Sequence, residues 1–573
     1  MVSCGGWHEG AISKQNAVVI KFKTAVHFDY CRNIWMRNVD IVGSKGHGAN
    51  FYEIGGVLNV TNCVFENNTV SADTLRNIST SNKQTLEVVG YINSVGGVFV
   101  TLNKYTRNQP YFVNVTRARH ESYIQGNSYT FTNCSFIGNG ISGEVAPKDN
   151  FQGHALDQRR GIRGGGLGIS FVGKAKSNKV LIQNCTFLAN QAYWGGGLQA
   201  EFSELTSKNV FTVQSSVFQS NIGHSAGGGA RVGHWREKGV YVPNNKIRFV
   251  DSVFRGNQGN WGGGVSVYGS SIFCKCKQDF NSRKIFSFQS CHWFANKAIV
   301  GSAIDTFLFN QNRENIGPEV PFHVEFVDSR VENNAIDIRE ENVQIGEGAI
   351  YDVGVSIVFR GKTIIKNNTF TALALDGGTL ELYDDVEFVE NKGVHGGAIA
   401  MYGYSQIILM NNSRLLFKEN SCKEKGGAMF IQTPGSPRIS YGLSKNNPNI
   451  CFFAYEDDQI SFNQWNTEVI FQQNKAPDDS SGHSVFATTL KKCRMQGETR
   501  LNNSVLDWKF IRFHRTEANR NTKEIATSPV DIMYNAQEWY VSPGEVFSPT
   551  VHLRDEKNNS VNGIIKILMW NSS

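Results

Sequence analysis

One coupled spacing limits the fold of this chain more than any other feature. Its clearest copy runs Asn184-Cys185-Thr186-Phe187-Leu188-Ala189-Asn190 and is followed by Gly195-Gly196-Gly197-Leu198. The aromatic-to-asparagine half also pairs Phe65 with Asn68, Phe136 with Asn139, Phe218 with Asn221 and Phe254 with Asn257. It returns at Phe388 with Asn391, Phe417 with Asn420 and Phe471 with Asn474, and more loosely at Trp293/Asn296, Val331/Asn334 and Ile365/Asn368. The glycine half recurs at Gly55-Gly56, Gly96-Gly97, Gly164-Gly165-Gly166, Gly227-Gly228-Gly229, Gly262-Gly263-Gly264, Gly377-Gly378, Gly396-Gly397 and Gly426-Gly427. Self-similarity of this kind is the signature of a solenoid.

The spacing decodes into strands and corners. Ahead of each Phe stand apolar residues two apart, such as Val180 and Ile182 or Phe211 and Val213, which share one face of a strand. That parity breaks before the Cys or Ser column, so a corner is expected at Asn62, Asn133, Asn184, Asp251 and Asp328, residue types that tolerate left-handed backbone. The Asn after the Phe marks a second corner by the same reasoning. The glycines make a third, where missing Cβ atoms permit positive φ and close approach of stacked backbone. Tyr383 is expected to face inward with Val60, Phe131 and Ile182. The fold class is therefore all-β: a right-handed parallel β-helix of three-strand coils, with an internal Phe stack and Asn columns bridging coil to coil.

A solenoid grows by adding coils, so 573 residues need not mean several globular domains. The β-helix is expected over 1–493, with corner-loop insertions, then a polar, non-periodic linker over 494–538. Alternation and turn signals in 539–573 read as the start of a truncated, Ig-like β-sandwich. Both ends look cut, as in a fragment of a larger protein. The formal charge of +7 is spread thinly and forms no basic stripe with interleaved aromatics, which argues against nucleic acid. No apolar run reaches the roughly 20 residues of a membrane-spanning helix, and the first residues lack a secretion signal's basic start and apolar middle. Of 11 cysteines, Cys63, Cys134, Cys185 and Cys291 share an inward register with Ser216, Ser252 and Ser329 and read as small core residues. Cys451 and Cys493 flank a single coil and are expected to form a disulfide at the end of the helix. Glycosylation triplets at Asn59, Asn67, Asn133, Asn184 and elsewhere give modest support to an extracellular setting, since some follow from the repeat itself.

The pairing of FENN, FIGN, FLAN, FQSN, FRGN, FVEN, FKEN and FQQN with GGAI at 396–399 and GGAM at 426–429 resembles the repeat of bacterial polymorphic outer-membrane proteins. That repeat also occurs in large extracellular animal proteins, and the likeness runs from about residue 40 to residue 490. It implies surface display and adhesion, and it carries no transferable catalytic residues.

Many parallel β-helices cleave polysaccharides, which makes a carbohydrate-active enzyme the alternative reading. Pectin-cleaving hydrolases of this fold are built around Asn-Thr-Asp, an Asp pair, Gly-His-Gly and Arg-x-Lys. Here Gly46-His47-Gly48 lies far from Asp384-Asp385, Asp457-Asp458 and Asp478-Asp479, and the tripeptide is missing. Histidine and cysteine spacings match no metal site, and nothing calls for a cofactor.

What remains is in the variable positions. Trp194 and Trp261 stand immediately before a triple glycine, with His395 in the corresponding place. Exposed in a column, they would stack on sugar rings or anchor a protein; the alternative is that they cap the corner against the Phe stack. The insertion at 141–163, with Arg159, Arg160 and Arg163, is expected to form part of a contact surface, the alternative being a solvated loop. The leading function is a non-catalytic extracellular scaffold that binds a protein or glycan through corner loops. A purely structural spacer is the third possibility.

Overall fold

The structure is a computed structural model. It describes residues 25–29, 31–52, 54–72, 97–102, 125–143, 163–171, 175–203, 206–235, 245–270, 284–309, 322–336, 348–402, 405–410, 412–432, 451–454, 467–477, 481–488, 493–494, 501–502, 511–514, 524–527, 529–534, 551–555 and 560–561. The chain divides into two compact units, Met1–Ile364 and Ile365–Ser573.

The first unit is a parallel β-helix. A full coil passes through Lys179–Gln183 (sheet I), Thr186–Leu188 (sheet II), Gln191–Trp194 (sheet III) and Leu198–Ser203 (sheet IV). Each strand pairs in parallel with its counterparts in the neighbouring coils, as Lys179–Gln183 does with Ser128–Thr132 and Val210–Gln214. Three of these sides are the expected strands. The short sheet III is an addition, lying between the asparagine corner and the glycine turn.

The first corner stands as expected: Asn62, Asn133, Asn184, Asp251 and Asp328 all have positive φ, between 48° and 53°. The second is displaced by one residue. Positive φ falls on Asn67, Gly138, Ala189, Ser220 and Gly256, each immediately before the repeat asparagine. The asparagine itself is turned inward, so its role is hydrogen bonding and the preceding residue absorbs the bend. At the third corner Gly164, Gly195, Gly227 and Gly262 have φ of 62–68°. The glycines that follow are required by proximity: a Cβ on Gly197 would sit 2.5 Å from the Gly229 carbonyl of the next coil.

Inside, like residues stack. Phe65, Phe136, Phe187, Phe218, Phe254 and Trp293 are fully buried, with successive centroids 4.5–5.5 Å apart and planes within 11° of parallel. Next to them runs the amide ladder Asn68, Asn139, Asn190, Asn221, Asn257, Asn296 and Asn334. Asn190 Nδ2 donates to Asn221 Oδ1 at 3.0 Å and to the Phe136 carbonyl at 2.9 Å, while its own Oδ1 accepts from Asn139. A second ladder, Asn127, Asn178, Asn209 and Asn245, leads into sheet I. Cys63, Cys134, Cys185 and Cys291 are buried thiols, and burial pushes Cys291 up to about 12. Ser216 and Ser329, in the same column, accept hydrogen bonds from the backbone N–H of Cys185 and Cys291.

The second unit repeats the design. Phe388, Phe417, Phe471 and Phe513 stack at 4.7–5.4 Å, beside the ladder Asn368, Asn391, Asn420 and Asn474. Tyr383 departs from its expected inward place: the sheet I strand here ends at Leu382, and the half-buried Tyr383 hydroxyl bonds Glu381. The helix also continues past residue 493 into the stretch expected as a linker. Ile511–His514 extends sheet II beside Glu468–Gln472, and Ile525–Thr527 extends sheet IV beside Val485–Ala487. A three-stranded antiparallel sheet joins Pro529–Tyr534, in the stretch expected as linker, to Val551–Asp555 and Ser560–Val561, in the stretch expected to open a sandwich. Cys451 and Cys493 lie on strands whose side chains are outside the described residues.

Candidate functional site

Sheet IV has an inward and an outward face, because successive side chains alternate. Leu198, Ala200 and Phe202 face in, so Gln199 and Glu201 face out. Register then sets two outward columns in the first unit. One runs Gln199, Arg231, Ser266, Asp305; the other runs Glu201, Gly233, Tyr268, Phe307. Just ahead of the glycine turns a third column holds Arg163, Trp194, Ala226, Trp261 and Val300.

These columns bring aromatic and charged groups together. The guanidinium carbon of Arg231 lies 3.8 Å from the Tyr268 ring centroid and 4.8 Å from that of Trp194. Arg163 also lies over Trp194, at 5.0 Å, and forms an ion pair with Glu201. Cation and ring therefore alternate along one line, each guanidinium meeting the negative face of an indole or phenol. Gly233 makes this possible, since a Cβ there would collide with the Tyr268 ring. Tyr268 reaches over that gap until its hydroxyl is 3.4 Å from Gln199 Nε2.

The cluster is well covered: Gln199 is 2 % exposed, Asp305 3 % and Trp194 7 %, while Arg231 and Trp261 are half-buried. Burial pushes the Asp305 carboxyl up to about 7, against the opposing pull of its Ser266 hydrogen bond and of Arg231. Burial also lowers Arg231, a group that stays protonated in proteins. Among the described residues, the deeply buried atoms Gln199 Oε1, Arg231 Nε and Asp305 Oδ1 meet no hydrogen-bond partner.

Of the residues singled out from sequence, Trp194, Trp261 and Arg163 share this site. Among the described residues the Trp194 ring meets Tyr193, Arg163 and Arg231, and the Trp261 ring meets Phe307 and Tyr351 at 6.5 Å each. Among the described residues neither ring stacks on a member of the Phe column. Arg159 and Arg160 lie outside the described residues. In the second unit His395 stacks on Phe430 at 4.6 Å, and its Nε2 lies 3.3 Å from Glu424. Gly46-His47-Gly48 is a turn: His47 is buried, and Gly48 packs against the Gly97 carbonyl ahead of the paired strands at Ala49 and Val98. Gln199, Glu201, Arg231, Tyr268 and Asp305 were missed, although aligning the strands on their glycines would have stacked them.

Among the described residues, no three His, Cys, Asp or Glu side chains group as metal ligands. Glu201 and Asp305 sit on strands three steps apart in sheet IV, roughly 14 Å by strand spacing. Comparison of the chain with protein-family models, with curated proteins and with solved structures returned no match.

Proposed function

We propose that this chain is a non-catalytic, surface-displayed β-helix scaffold that binds a protein or glycan partner. The observation behind this reading is a division of labour within the coil. The recurring residues, Phe, Asn and Gly, are taken up by the interior stack, the ladder and the turns, whereas the outward face of sheet IV in the first unit carries an aromatic and charged set that does not repeat. Function in a solenoid lies in what varies between repeats. Extracellular display rests on the repeat's resemblance to that of polymorphic outer-membrane proteins. The test is an array of glycans and extracellular-matrix proteins, run beside a polysaccharide-cleavage assay. Saturable binding without cleavage is the expected result; cleavage of any polysaccharide would replace this reading with the enzymatic one.

A further inference from the structure

Sheet I carries an exposed aromatic that its packing leaves unused. On the strand Arg32–Arg37, Ile34 and Met36 face in, and Trp35 between them faces out with 63 % of its surface exposed. Among the described residues its indole meets no other ring and no cation. Paired with it in register is Asn59, on the neighbouring strand Gly55–Thr61, about 4.8 Å away by strand spacing. Leu58 and Val60 are buried, so Val57, Asn59 and Thr61 share the outer face, and Val57 is exposed as well. An open indole face is apolar surface that a flat group beside it would cover favourably.

Asn59-Val60-Thr61 is an acceptor triplet for N-linked glycosylation. Thr61 Oγ1 donates to Asn59 Oδ1 at 2.6 Å, which ties the amide oxygen along the strand and leaves Nδ2 as the open end. The corner triplets differ. Asn67 Nδ2 donates to Glu66 Oε1 and stands between Gly43 and Gly138 of the adjoining coils. Asn133 Nδ2 donates to Asn62 Oδ1 and stands between Asn62 and Asn184. Neither has an aromatic residue paired beside it. Asparagine is short and tryptophan long, so a sugar joined to Asn59 Nδ2 stands level with the Trp35 ring, its C–H face against the indole. Resting on the surface-display reading above, we propose that Asn59 carries an N-linked glycan whose first sugar, an N-acetylglucosamine, covers Trp35. The new bond joins Nδ2 to the anomeric carbon of an oligosaccharide carried on a lipid diphosphate. The diphosphate leaves with the electron pair of the broken C–O bond, and Nδ2 gives up one proton to a base.

The experiment secretes the full chain from mammalian cells behind a cleavable leader. Peptide mass spectrometry after enzymatic glycan release in isotopically labelled water then reads occupancy at Asn59, since release turns a glycosylated asparagine into labelled aspartate. Cell-free translation into microsomes reads the same occupancy without depending on secretion. Asn59 is expected to be occupied in most molecules of both preparations. Hydroxyl-radical footprinting compares the secreted chain, its glycan trimmed to the first sugar, with the Asn59→Gln variant. Trp35 oxidation is expected to rise about twofold in the variant, as one of two ring faces is uncovered. Footprinting the unaltered chain before and after complete glycan release gives the same comparison without a substitution. A bare Asn59 in either preparation overturns the proposal, and so does Trp35 oxidation that is equal with and without the sugar. Equally slow oxidation in both would show that another part of the chain lies on the indole. None of these results touches binding on the array, which tests the scaffold reading separately.

Discussion

Asn221 Oδ1 accepts two hydrogen bonds from Asn190, one from the backbone N–H and one from the side-chain amide, both at 3.0 Å. Asn221 in turn donates to the Phe187 carbonyl and to Asn257 Oδ1, each at 2.9 Å. Every polar atom of the side chain is used in a site shut off from water. Asn221→Asp keeps the shape but exchanges the donor for an oxygen facing two others. We expect a loss of roughly 3–5 kcal/mol near neutral pH, shrinking as acid protonates the new carboxyl, measured by urea unfolding. A variant as stable as the parent at pH 7 would remove the ladder's structural role.

Phe187 stacks between Phe136 at 4.7 Å and Phe218 at 4.5 Å and is fully buried. Phe187→Ala should cost about 3–5 kcal/mol through lost burial and a cavity that fixed coils cannot close. Phe187→Leu should cost less. Equal losses for the two would show that ring stacking, rather than volume, holds the column.

Ala189 bends the chain at φ 53° with a Cβ that resists it. Gly256 and Gly138 do the same work in other coils without that strain. Ala189→Gly is therefore expected to be neutral to stabilising, by up to about 1 kcal/mol, against the usual penalty for glycine in a folded chain. A clear loss in thermal unfolding would show that the Ala189 methyl is held by packing instead.

Two buried groups give the first unit opposing pH dependences. Asp305 is raised from 3.8 to about 7, so folding favours its protonated form. Its contribution is complete below pH ~4 and is lost as pH rises through about 7, a few kcal/mol by linkage. His47 is lowered from 6.5 to about 4, first by burial and then by His27. Its contribution is present above pH 6.5 and lost as pH falls through about 4. Asp305→Asn should flatten the neutral limb of the stability curve, and His47→Asn the acid limb. Unchanged curves in both variants would show that neither group titrates inside the folded chain.

The interior was legible in sequence because packing imposes a period on it. Phe187, Asn190 and Gly195 recur at spacings set by stacked coils, so a single chain displays the constraint many times over. The second corner was misplaced by one residue because the same asparagine was credited with two tasks, bending and hydrogen bonding. Ala189 bends, and Asn190 bonds. The second ladder, through Asn178 and Asn209, was passed over although it stands at a fixed distance ahead of the aromatic column. The outward cluster was harder to find for a physical reason. No interior forces act on Gln199, Arg231, Ser266 and Asp305, so no residue type repeats there. Trp194 and Trp261 were visible because they sit against the glycine turn, where register is fixed, and Arg163 because it belongs to a cluster of arginines in the 141–163 insertion.

The asparagine ladder has a direction, and this bears on how such a chain can change length. Each rung offers an amide N–H pair forward and an oxygen backward, so every rung presents its neighbours with the same joint. A coil removed between Asn190 and Asn257, or duplicated there, would leave matching faces to close upon. The interior thus keeps no record of how many turns it contains. Gene duplication and loss can lengthen or shorten a β-helix of this kind a turn at a time, and each such event would change the spacing of the outward columns without reworking the core that carries them.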